Sequence, residues 1–226
     1  MFQGKRVTAV LLAGGSGSRF GGSRNKVYVP VAGKPLLEYS RQVLDESPLV
    51  DDLILVSRPE DAEEIRELVA RCRKPVQQIA GGATRQESVY HALTADCGEI
   101  VLIQDGARPM LKPRYVQECV AAMAVCPGAT VAVRSKDTIK LADADGMVRC
   151  TTRRADTWLT QTPQCFLRDV LLEGHRQAGK DPEIITDDCM LLERMGQPVK
   201  LVEGDYTNIK VTTAEDLILA ESFLRQ

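Results

Sequence analysis

The chain has 226 residues, enough for one domain with a full hydrophobic core and too few to require a second functional module. Its 29 basic residues are scattered along the sequence and leave a formal net charge of −2, which argues against a nucleic-acid-binding or membrane-binding surface. No apolar run approaches membrane-spanning length, and no signal-peptide hydrophobic region precedes the first predicted strand, so we expect a cytoplasmic protein.

Most of the chain alternates between strand and helix patterns, which predicts βαβ units and an α/β fold with a mostly parallel sheet flanked by helices. Strands are predicted at residues 7–12, 52–56, 76–80, 100–103 and 129–133. Helices are predicted to open near residue 35, to cover residues 59–72 and 113–126, and to carry Val89, Ala92 and Leu93. The continuous apolar run at 100–103 is typical of a strand buried on both faces.

The alternation stops between residues 134 and 164. Short β-like segments at 138–141 and 147–151 flank the turn Asp143-Ala144-Asp145-Gly146. We interpret 134–164 as a β-hairpin arm that protrudes from a single domain of residues 1–226. Beyond the arm we predict helices at 167–179 and 186–195, strands at 197–202 and 208–211, and a capping box at 212–216 that opens the last helix.

A glycine-rich segment directly follows the first predicted strand. Gly14, Gly15 and Gly17 let backbone N–H groups approach an anion that β-carbons would hold away. Arg19 and Lys26, seven residues later, add two cations to the same loop. The segment therefore predicts a polyphosphate-binding loop, although glycines of this spacing also occur in simple turns.

Several familiar motifs are excluded. A Walker loop is excluded because Gly33-Lys34 precedes a proline, and a dinucleotide-binding fingerprint would need its third glycine at Phe20. The seven cysteines include no Cys-x-x-Cys pair, which disfavours a disulfide framework or a zinc site. Neither of the two histidines lies near a serine or cysteine nucleophile motif, so a triad hydrolase is not indicated.

Polar residues follow the apolar run at 100–103. Asp105 and Arg108 come at the carboxyl end of this strand, where open α/β sheets bind their ligands. A hard carboxylate suits Mg²⁺, so Asp105 is a candidate for holding a magnesium-bound phosphate or a ribose hydroxyl. The residues alone leave three points open: Asp105 also fits a turn or helix cap, Arg108 also fits a structural partner of Asp105, and Ser88 is ambiguous.

Five short motifs occur in order along nearly the whole chain. They are Ala13 to Arg19 with Lys26, Gly81-Gly82-Ala83-Thr84-Arg85-Gln86-Glu87-Ser88-Val89, Asp105-Gly106-Ala107-Arg108-Pro109, Thr162-Pro163-Gln164 and Asn208-Ile209-Lys210-Val211-Thr212. Together they resemble the 2-C-methyl-D-erythritol 4-phosphate cytidylyltransferase family. The resemblance implies a single Rossmann-like nucleotidyltransferase domain that binds CTP with Mg²⁺.

The resemblance also implies roles for single residues. Arg19, Lys26 and Lys210 match the family's catalytic cations. The residues implied to hold CTP, with Asp105 also as magnesium ligand, are Ala13, Gly14, Gly15, Gly17, Gly82, Ser88, Asp105 and Gly106. Those implied to bind the polyol phosphate are Thr138, Arg154, Lys210, Arg108 and Thr162. In this family the arm exchanges between subunits, which implies a homodimer in which Thr138 and Arg154 act across the interface.

Two departures from the family pattern bear on substrate binding. Gly106 stands where alanine is common, which predicts more space near the ribose. Thr207 stands where some relatives carry an aspartate, so the residue that contacts the substrate's hydroxyls is left open.

Cytidylyl transfer suits these residues because a phosphate monoester is already ionised at neutral pH and needs no general base to attack. The main interpretation is transfer from CTP to 2-C-methyl-D-erythritol 4-phosphate, giving 4-diphosphocytidyl-2-C-methyl-D-erythritol and pyrophosphate in the non-mevalonate isoprenoid pathway. A ribitol-5-phosphate cytidylyltransferase of cell-wall polymer synthesis shares most of the motifs. A non-catalytic nucleotide-binding regulator is the alternative from a different class.

Overall fold

The computed structural model describes residues 1–15, 25–179 and 185–225. Up to the arm, the strands and helices are β1 (Val7–Leu12), β2 (Pro30–Val31), β3 (Lys34–Pro35), α1 (Leu36–Glu46), β4 (Asp52–Ser57), α2 (Ala62–Val69), β5 (Val76–Ala80), α3 (Arg85–Thr94), β6 (Ile100–Asp105), α4 (Pro113–Ala122) and β7 (Gly128–Arg134). From the arm onward they are β8 (Lys140–Ala142), β9 (Val148–Thr151), β10 (Trp158–Leu167), α5 (Arg168–Ala178), α6 (Cys189–Arg194), β11 (Val199–Glu203) and α7 (Ala214–Leu224).

Seven strands form a central sheet in the order β11-β7-β10-β6-β1-β4-β5. β1 is parallel to both of its neighbours, β4 and β6, and β11 is parallel to β7. β10 runs antiparallel to both β6 and β7. The predicted α/β fold with a mostly parallel sheet is therefore confirmed.

Helices pack on both faces of this sheet and create two apolar clusters. In β6, Ile100 and Leu102 face one cluster, while Val101 and Ile103 face the other. All four side chains are completely buried. This double burial is the physical reason that the segment shows a continuous apolar run instead of an alternating pattern.

The structure bears on two predicted helix ends, the start of the last helix, α7, and the end of α4. The predicted capping box at the start of α7 is present: Thr213 is the N-cap residue, and its side chain accepts from the N–H of Asp216. The helix predicted at 113–126 ends earlier, because the N–H groups of Met123 and Ala124 bond three residues back in a tighter turn.

Across the described ranges, no helix combines the length and apolarity needed to cross a bilayer.

The strand predicted at residues 208–211 is wrong. The N–H of Val211 bonds to the carbonyl of Ala107, but the neighbouring backbone forms no ladder. Instead, the fully buried Asn208 donates from Nδ2 to Gln161 Oε1 and to the carbonyl of Thr162, both at 3.0 Å. Isolated backbone hydrogen bonds and the side chain of Asn208 thus hold this segment in place, and apolar alternation alone does not distinguish it from a strand.

The arm is narrower than the predicted range of 134–164. β8 and β9 form an antiparallel hairpin around the turn at Asp143 to Gly146, as the sequence predicts. Residues 158–164, however, belong to β10 inside the central sheet, where Trp158 pairs with Arg134. The register of β10 shifts between Thr160 and Gln164, and this irregularity hides the strand from a search for alternating residues.

Candidate active site

A cleft of about 600 Å³ opens beyond the carboxyl ends of β1, β4, β5 and β6. We call it the first cleft. Its position is the one at which open parallel sheets bind ligands, because loops after neighbouring strands converge there. The predicted site residues that line it are Gly14, Gly15, Lys26, Gly82, Ser88, Asp105, Gly106 and Lys210.

The glycine loop begins as the sequence predicts, directly after β1. Ala13 is 1% exposed, and its N–H donates to the carbonyl of Val56 at 2.7 Å. Gly14 and Gly15 follow on the wall of the first cleft. Two predicted residues of this loop, Gly17 and Arg19, lie outside the described residues.

Asn25 joins the two ends of this loop. Its Nδ2 donates to the carbonyl of Ala13 at 2.6 Å and to Asp61 Oδ2 at 2.9 Å, and its Oδ1 accepts from the N–H of Val27 at 3.3 Å. Asn25 is 1% exposed, so these bonds are shielded from water. They hold the next residue, Lys26, on the wall of the first cleft.

We expect Asn25→Ala to lower the free energy of unfolding by about 1–3 kcal/mol, because buried hydrogen-bonding groups lose their partner. Urea denaturation at fixed pH measures this change. Gln177→Ala is the control, because it removes an exposed amide whose hydrogen bond among the described residues runs along its own helix to Glu173. The control should change the free energy of unfolding by less than about 0.5 kcal/mol. Equal effects from both variants would contradict the bracing role of Asn25.

The loop after β5 forms another wall of the first cleft and folds onto the start of α3. The Ser88 hydroxyl accepts from the N–H of Gly82 at 3.1 Å and donates to the carbonyl of Thr84 at 2.9 Å. Thr84 caps α3 by accepting from the N–H of Glu87, whose carboxylate in turn accepts from the Thr84 N–H. The Ser88 hydroxyl therefore shapes the loop and also lies at the cleft surface.

Gly82→Ala is expected to destabilise the protein by about 1–3 kcal/mol through overpacking. A Cβ at this position would lie 2.3 Å from Glu87 Cβ and 2.8 Å from Glu87 Oε2, so the capping box must shift. Gly15→Ala is the matched control in the same cleft, because a Cβ there meets no described residue within 4 Å. Thermal unfolding of both variants tests the close contact between Gly82 and Glu87. Equal midpoint temperatures of unfolding would refute this contact.

Asp105 lies at the end of β6 among three cations. Its Oδ2 is 2.7 Å from Lys210 Nζ and 3.9 Å from Arg108 Nε, and its Oδ1 accepts from Arg85 Nε at 3.2 Å. Burial raises the pKa of Asp105, but the charges of these three residues lower it further, so its pKa lies well below the ordinary value. Asp105 is thus an ionised carboxylate that holds the cations together.

A second cleft of about 480 Å³ also opens at Asp105. Three charged residues, Arg85, Asp105 and Lys210, line both clefts. The remaining walls come mainly from β10 and from the segment that leads into α6. Of the predicted substrate-binding residues, Arg108, Thr162 and Lys210 line this second cleft.

Thr162 and Arg108 also support the surroundings of Asp105. The Thr162 hydroxyl donates to Gln104 Oε1 at 3.0 Å and accepts from the N–H of Asp105 at 3.1 Å. Arg108 donates from Nη1 to the carbonyl of Asn208 at 2.7 Å. Both residues lie at the edge of the second cleft, and Arg108 Nε is also 3.9 Å from Asp105 Oδ2, which is the structural pairing that the sequence left open as an alternative.

Thr138 and Arg154 come together on the arm. Arg154 Nη2 donates to Thr138 Oγ1 at 3.0 Å, although the two residues are 16 positions apart. Both side chains are exposed, and neither is among the residues that line the two clefts of its own chain. The pair is therefore assembled outside the two clefts of its own chain.

Gly106 lines the first cleft without widening it. Its N–H donates to the carbonyl of Leu12 at 2.9 Å, and a Cβ would lie 2.3 Å from Leu37 Cδ1 and 2.7 Å from the Leu12 oxygen. The expectation of more space near a ribose is therefore wrong. The missing Cβ of Gly106 would be directed at Leu37 and at the backbone of β1, because the turn after β6 packs directly against them.

Sequence reasoning missed two arginines of the site. Arg85 belongs to the motif that begins at Gly81, but the sequence predicted no role for it. In the structure it lines both clefts. Arg58 follows β4 at the same sheet edge, lines the first cleft and pairs with Asp61. The available signal for Arg58 was its position directly after a buried strand.

The donor set at Asp105 bears on metal binding. Within the described ranges, no group of three or more His, Cys, Asp or Glu side chains could hold a metal ion. A single ionised carboxylate at a cleft fits Mg²⁺ that takes most of its ligands from substrate phosphates and water.

Comparisons with known proteins agree with this geometry. The family model described as IspD, 2-C-methyl-D-erythritol 4-phosphate cytidylyltransferase, matches residues 7–226. Relatives of that name from Caldanaerobacter subterraneus subsp. tengcongensis and Microcystis aeruginosa are each 44% identical, over 97% and 95% of this chain and 99% and 96% of their own lengths.

The structure of the 4-diphosphocytidyl-2C-methyl-D-erythritol synthase from Anaerococcus prevotii superposes with a TM-score of 0.90 at 30% identity and covers 99% of this chain and 100% of that one. The enzyme of Thermus thermophilus, a 2-C-methyl-D-erythritol 4-phosphate cytidylyltransferase, gives a TM-score of 0.76 at 28% identity, with 96% and 98% coverage. On the full-length match of sequence and fold, the chain belongs to the 2-C-methyl-D-erythritol 4-phosphate cytidylyltransferase family.

Proposed function

We propose that this protein transfers the cytidylyl group of CTP to 2-C-methyl-D-erythritol 4-phosphate and releases pyrophosphate. The observation that carries the proposal is the pair of clefts that meet at Asp105 and Lys210. The first cleft, with its glycine loop, takes CTP. The second cleft takes the polyol phosphate, so its phosphate oxygen faces the α-phosphorus of CTP.

The reaction needs positioning and positive charge more than proton transfer. The acceptor phosphate attacks the α-phosphorus in line, a new P–O bond forms, and the bond to the β-phosphate breaks with pyrophosphate as leaving group. Lys26 and Lys210 lie on the cleft walls, where they offset the charge that accumulates on the α-phosphate, and we assign Arg19 the same role. Gly14, Gly15 and the loop containing Gly82 and Ser88 hold the nucleotide.

We assign Mg²⁺ binding to Asp105. When bound with CTP, the metal neutralises charge on the triphosphate. Asp105 now pairs with Lys210 at 2.7 Å, so metal binding must compete with this ion pair. Release from Asp105 would leave the Lys210 ammonium available for the α-phosphate and the acceptor. The same carboxylate thus positions Lys210 before the nucleotide binds.

We further propose that the functional unit is a homodimer formed through the arm, with Arg154 and Thr138 binding the acceptor in the partner's site. The hairpin of β8 and β9 is separate from the central sheet and exposes Leu141, Met147 and Val148, which are 51%, 68% and 59% accessible. A lone two-stranded hairpin is marginally stable in water, so burial of this apolar surface against a second copy would support it.

We place the reaction in the cytoplasm. All seven cysteines lie in the described ranges and are free thiols, as suits a reducing compartment.

Pyrophosphate release from CTP in the presence of Mg²⁺ tests the proposed reaction. 2-C-Methyl-D-erythritol 4-phosphate and ribitol 5-phosphate are compared as acceptors at equal concentration. We expect kcat/KM to be higher with methylerythritol phosphate. A preference for ribitol 5-phosphate would reassign the acceptor, and CTP binding without pyrophosphate release from either acceptor would refute transferase activity with both.

A further inference from the structure

Arg85 stands at the junction of the two clefts, and the reaction described above gives it no role. It is the first residue of α3, and its side chain is 28% exposed. Together with Asp105 and Lys210 it lines both clefts. A cation in this position faces the place where the acceptor phosphate and the α-phosphate must approach each other.

Two carboxylates fix the guanidinium of Arg85. Its Nη1 donates to Asp188 Oδ2 at 2.7 Å, and its Nε donates to Asp105 Oδ1 at 3.2 Å. Asp188 is 1% exposed and is itself held by a bond from its N–H to Gln164 Oε1 at 3.3 Å. Burial lowers the pKa of Arg85, but the two carboxylates raise it above its ordinary value, so the side chain stays charged.

The two hydrogen bonds that hold Arg85 between Asp105 and Asp188 form a clamp. This clamp suits the binding of a phosphate better than the balancing of a single buried charge. A guanidinium has five N–H donors arranged in a planar fork, more than the two bonds above employ. Because two carboxylates hold Nε and Nη1, the donors that these bonds do not use have a defined orientation in which to meet phosphate oxygens. A lysine could match the charge but not this planar clamp.

We propose that Arg85 is a further catalytic residue, which contacts a non-bridging oxygen of the α-phosphate during transfer, and that Asp188 positions it. This inference rests on the proposed cytidylyl transfer. As the acceptor oxygen bonds to the α-phosphorus and pyrophosphate departs with the electron pair of the broken bond, negative charge increases on the non-bridging oxygens. Arg85 donates hydrogen bonds to that charge from N–H groups that its carboxylate anchors do not use.

The test uses the two diastereomers of CTP in which sulfur replaces one non-bridging oxygen of the α-phosphate. Sulfur is larger and a weaker hydrogen-bond acceptor, so an arginine directed at one oxygen makes the enzyme prefer one diastereomer. The measured quantity is the ratio of kcat/KM for the two compounds with methylerythritol phosphate. We expect Arg85→Lys and Arg85→Gln each to change this ratio by about tenfold or more, because loss of one such donor costs about 100- to 1,000-fold in rate and part of that loss differs between the two diastereomers.

Two further variants complete the design. Asp188→Asn keeps Arg85 but weakens its anchor, so we expect the ratio to change in the same direction by about threefold, which corresponds to less than one hydrogen bond. Arg176→Gln is the control. It makes the same charge change as Arg85→Gln, but on α5, where Arg176 is exposed and lies near Glu173. The ratio of this control should equal that of the wild type.

The ratio is internal to each protein sample, so partial unfolding lowers both rates and leaves the ratio unchanged. A wild-type ratio near one, or a ratio unchanged in the Arg85 variants despite slower turnover, would overturn the proposal and leave Arg85 as a structural partner of Asp105. If the Arg85 variants do not fold, an unchanged ratio in Asp188→Asn would overturn it. Failure of the wild type to use unmodified CTP would instead refute the proposed function.

Discussion

Lys210→Ala is expected to lower kcat by about 100- to 1,000-fold, the cost of losing one group that stabilises transition-state charge. Lys210 lines both clefts, and its ammonium lies 2.7 Å from Asp105 Oδ2. The fold should persist, because Arg85 and Arg108 still compensate the buried carboxylate. Steady-state pyrophosphate release and thermal unfolding measure the two effects separately.

Lys200→Ala is the matched control for this experiment. Lys200 is an exposed lysine on β11, away from the residues that line the clefts. Its loss should leave kcat within about twofold, as is usual for surface substitutions. If Lys210→Ala lowered the unfolding temperature strongly and left the kcat of the folded fraction unchanged, Lys210 would be only a structural partner of Asp105.

Mixed subunits are expected to recover activity that the separate variants lack. Lys26→Ala removes a cation from the first cleft, and Arg154→Ala removes the arm arginine, so each homodimer should be nearly inactive. If the arm serves the partner's site, random mixing makes half of the dimers mixed, and each mixed dimer has one of two sites intact. The expected activity is therefore about one quarter of the wild type.

Mixing Lys26→Ala with Lys210→Ala provides the negative control. Both lysines line the first cleft of the same chain, so no mixed dimer contains an intact site. Two different affinity tags allow the mixed dimers to be isolated, and those of Lys26→Ala with Arg154→Ala should then have about half of the wild-type activity, because one of the two sites is intact. Lack of recovery in verified dimers of Lys26→Ala with Arg154→Ala would show that each active site is built within one chain.

The network at Asp105 explains why the charges of this site were only partly predictable. The sequence placed Asp105 after a buried strand and Lys210 in a motif, and each residue lies at the site. The ion pair from Arg85 to Asp188 spans 103 residues, and the short helix α6 that follows Asp188 carries no motif. Pairing over such a distance depends on how α3 and α6 pack on the sheet, which no local pattern encodes.

The glycines of the site were likewise predictable in position from the sequence but not in their structural role. Their positions after β1 and β5 indicated a ligand-binding edge, because glycine is the residue that allows close backbone approach. The reason for each glycine emerged only from its neighbours: Gly82 lies against Glu87, and Gly106 lies against Leu37 and the backbone of β1. The expected space at Gly106 was wrong because the direction of its missing Cβ is a tertiary property.

The sequence by itself determined the order of the central-sheet strands and the helices in the first half of the chain, the doubly buried β6, the capping box of α7 and the motifs that indicate the family. These features are local, because hydrophobic period, cap residues and motif spacing act over a few positions. The tertiary structure decided that residues 158–164 return to the sheet, that 208–211 form no strand and that Arg85 joins the two clefts. Each of these depends on pairing between distant segments, where burial and hydrogen bonding to a remote partner override the local pattern.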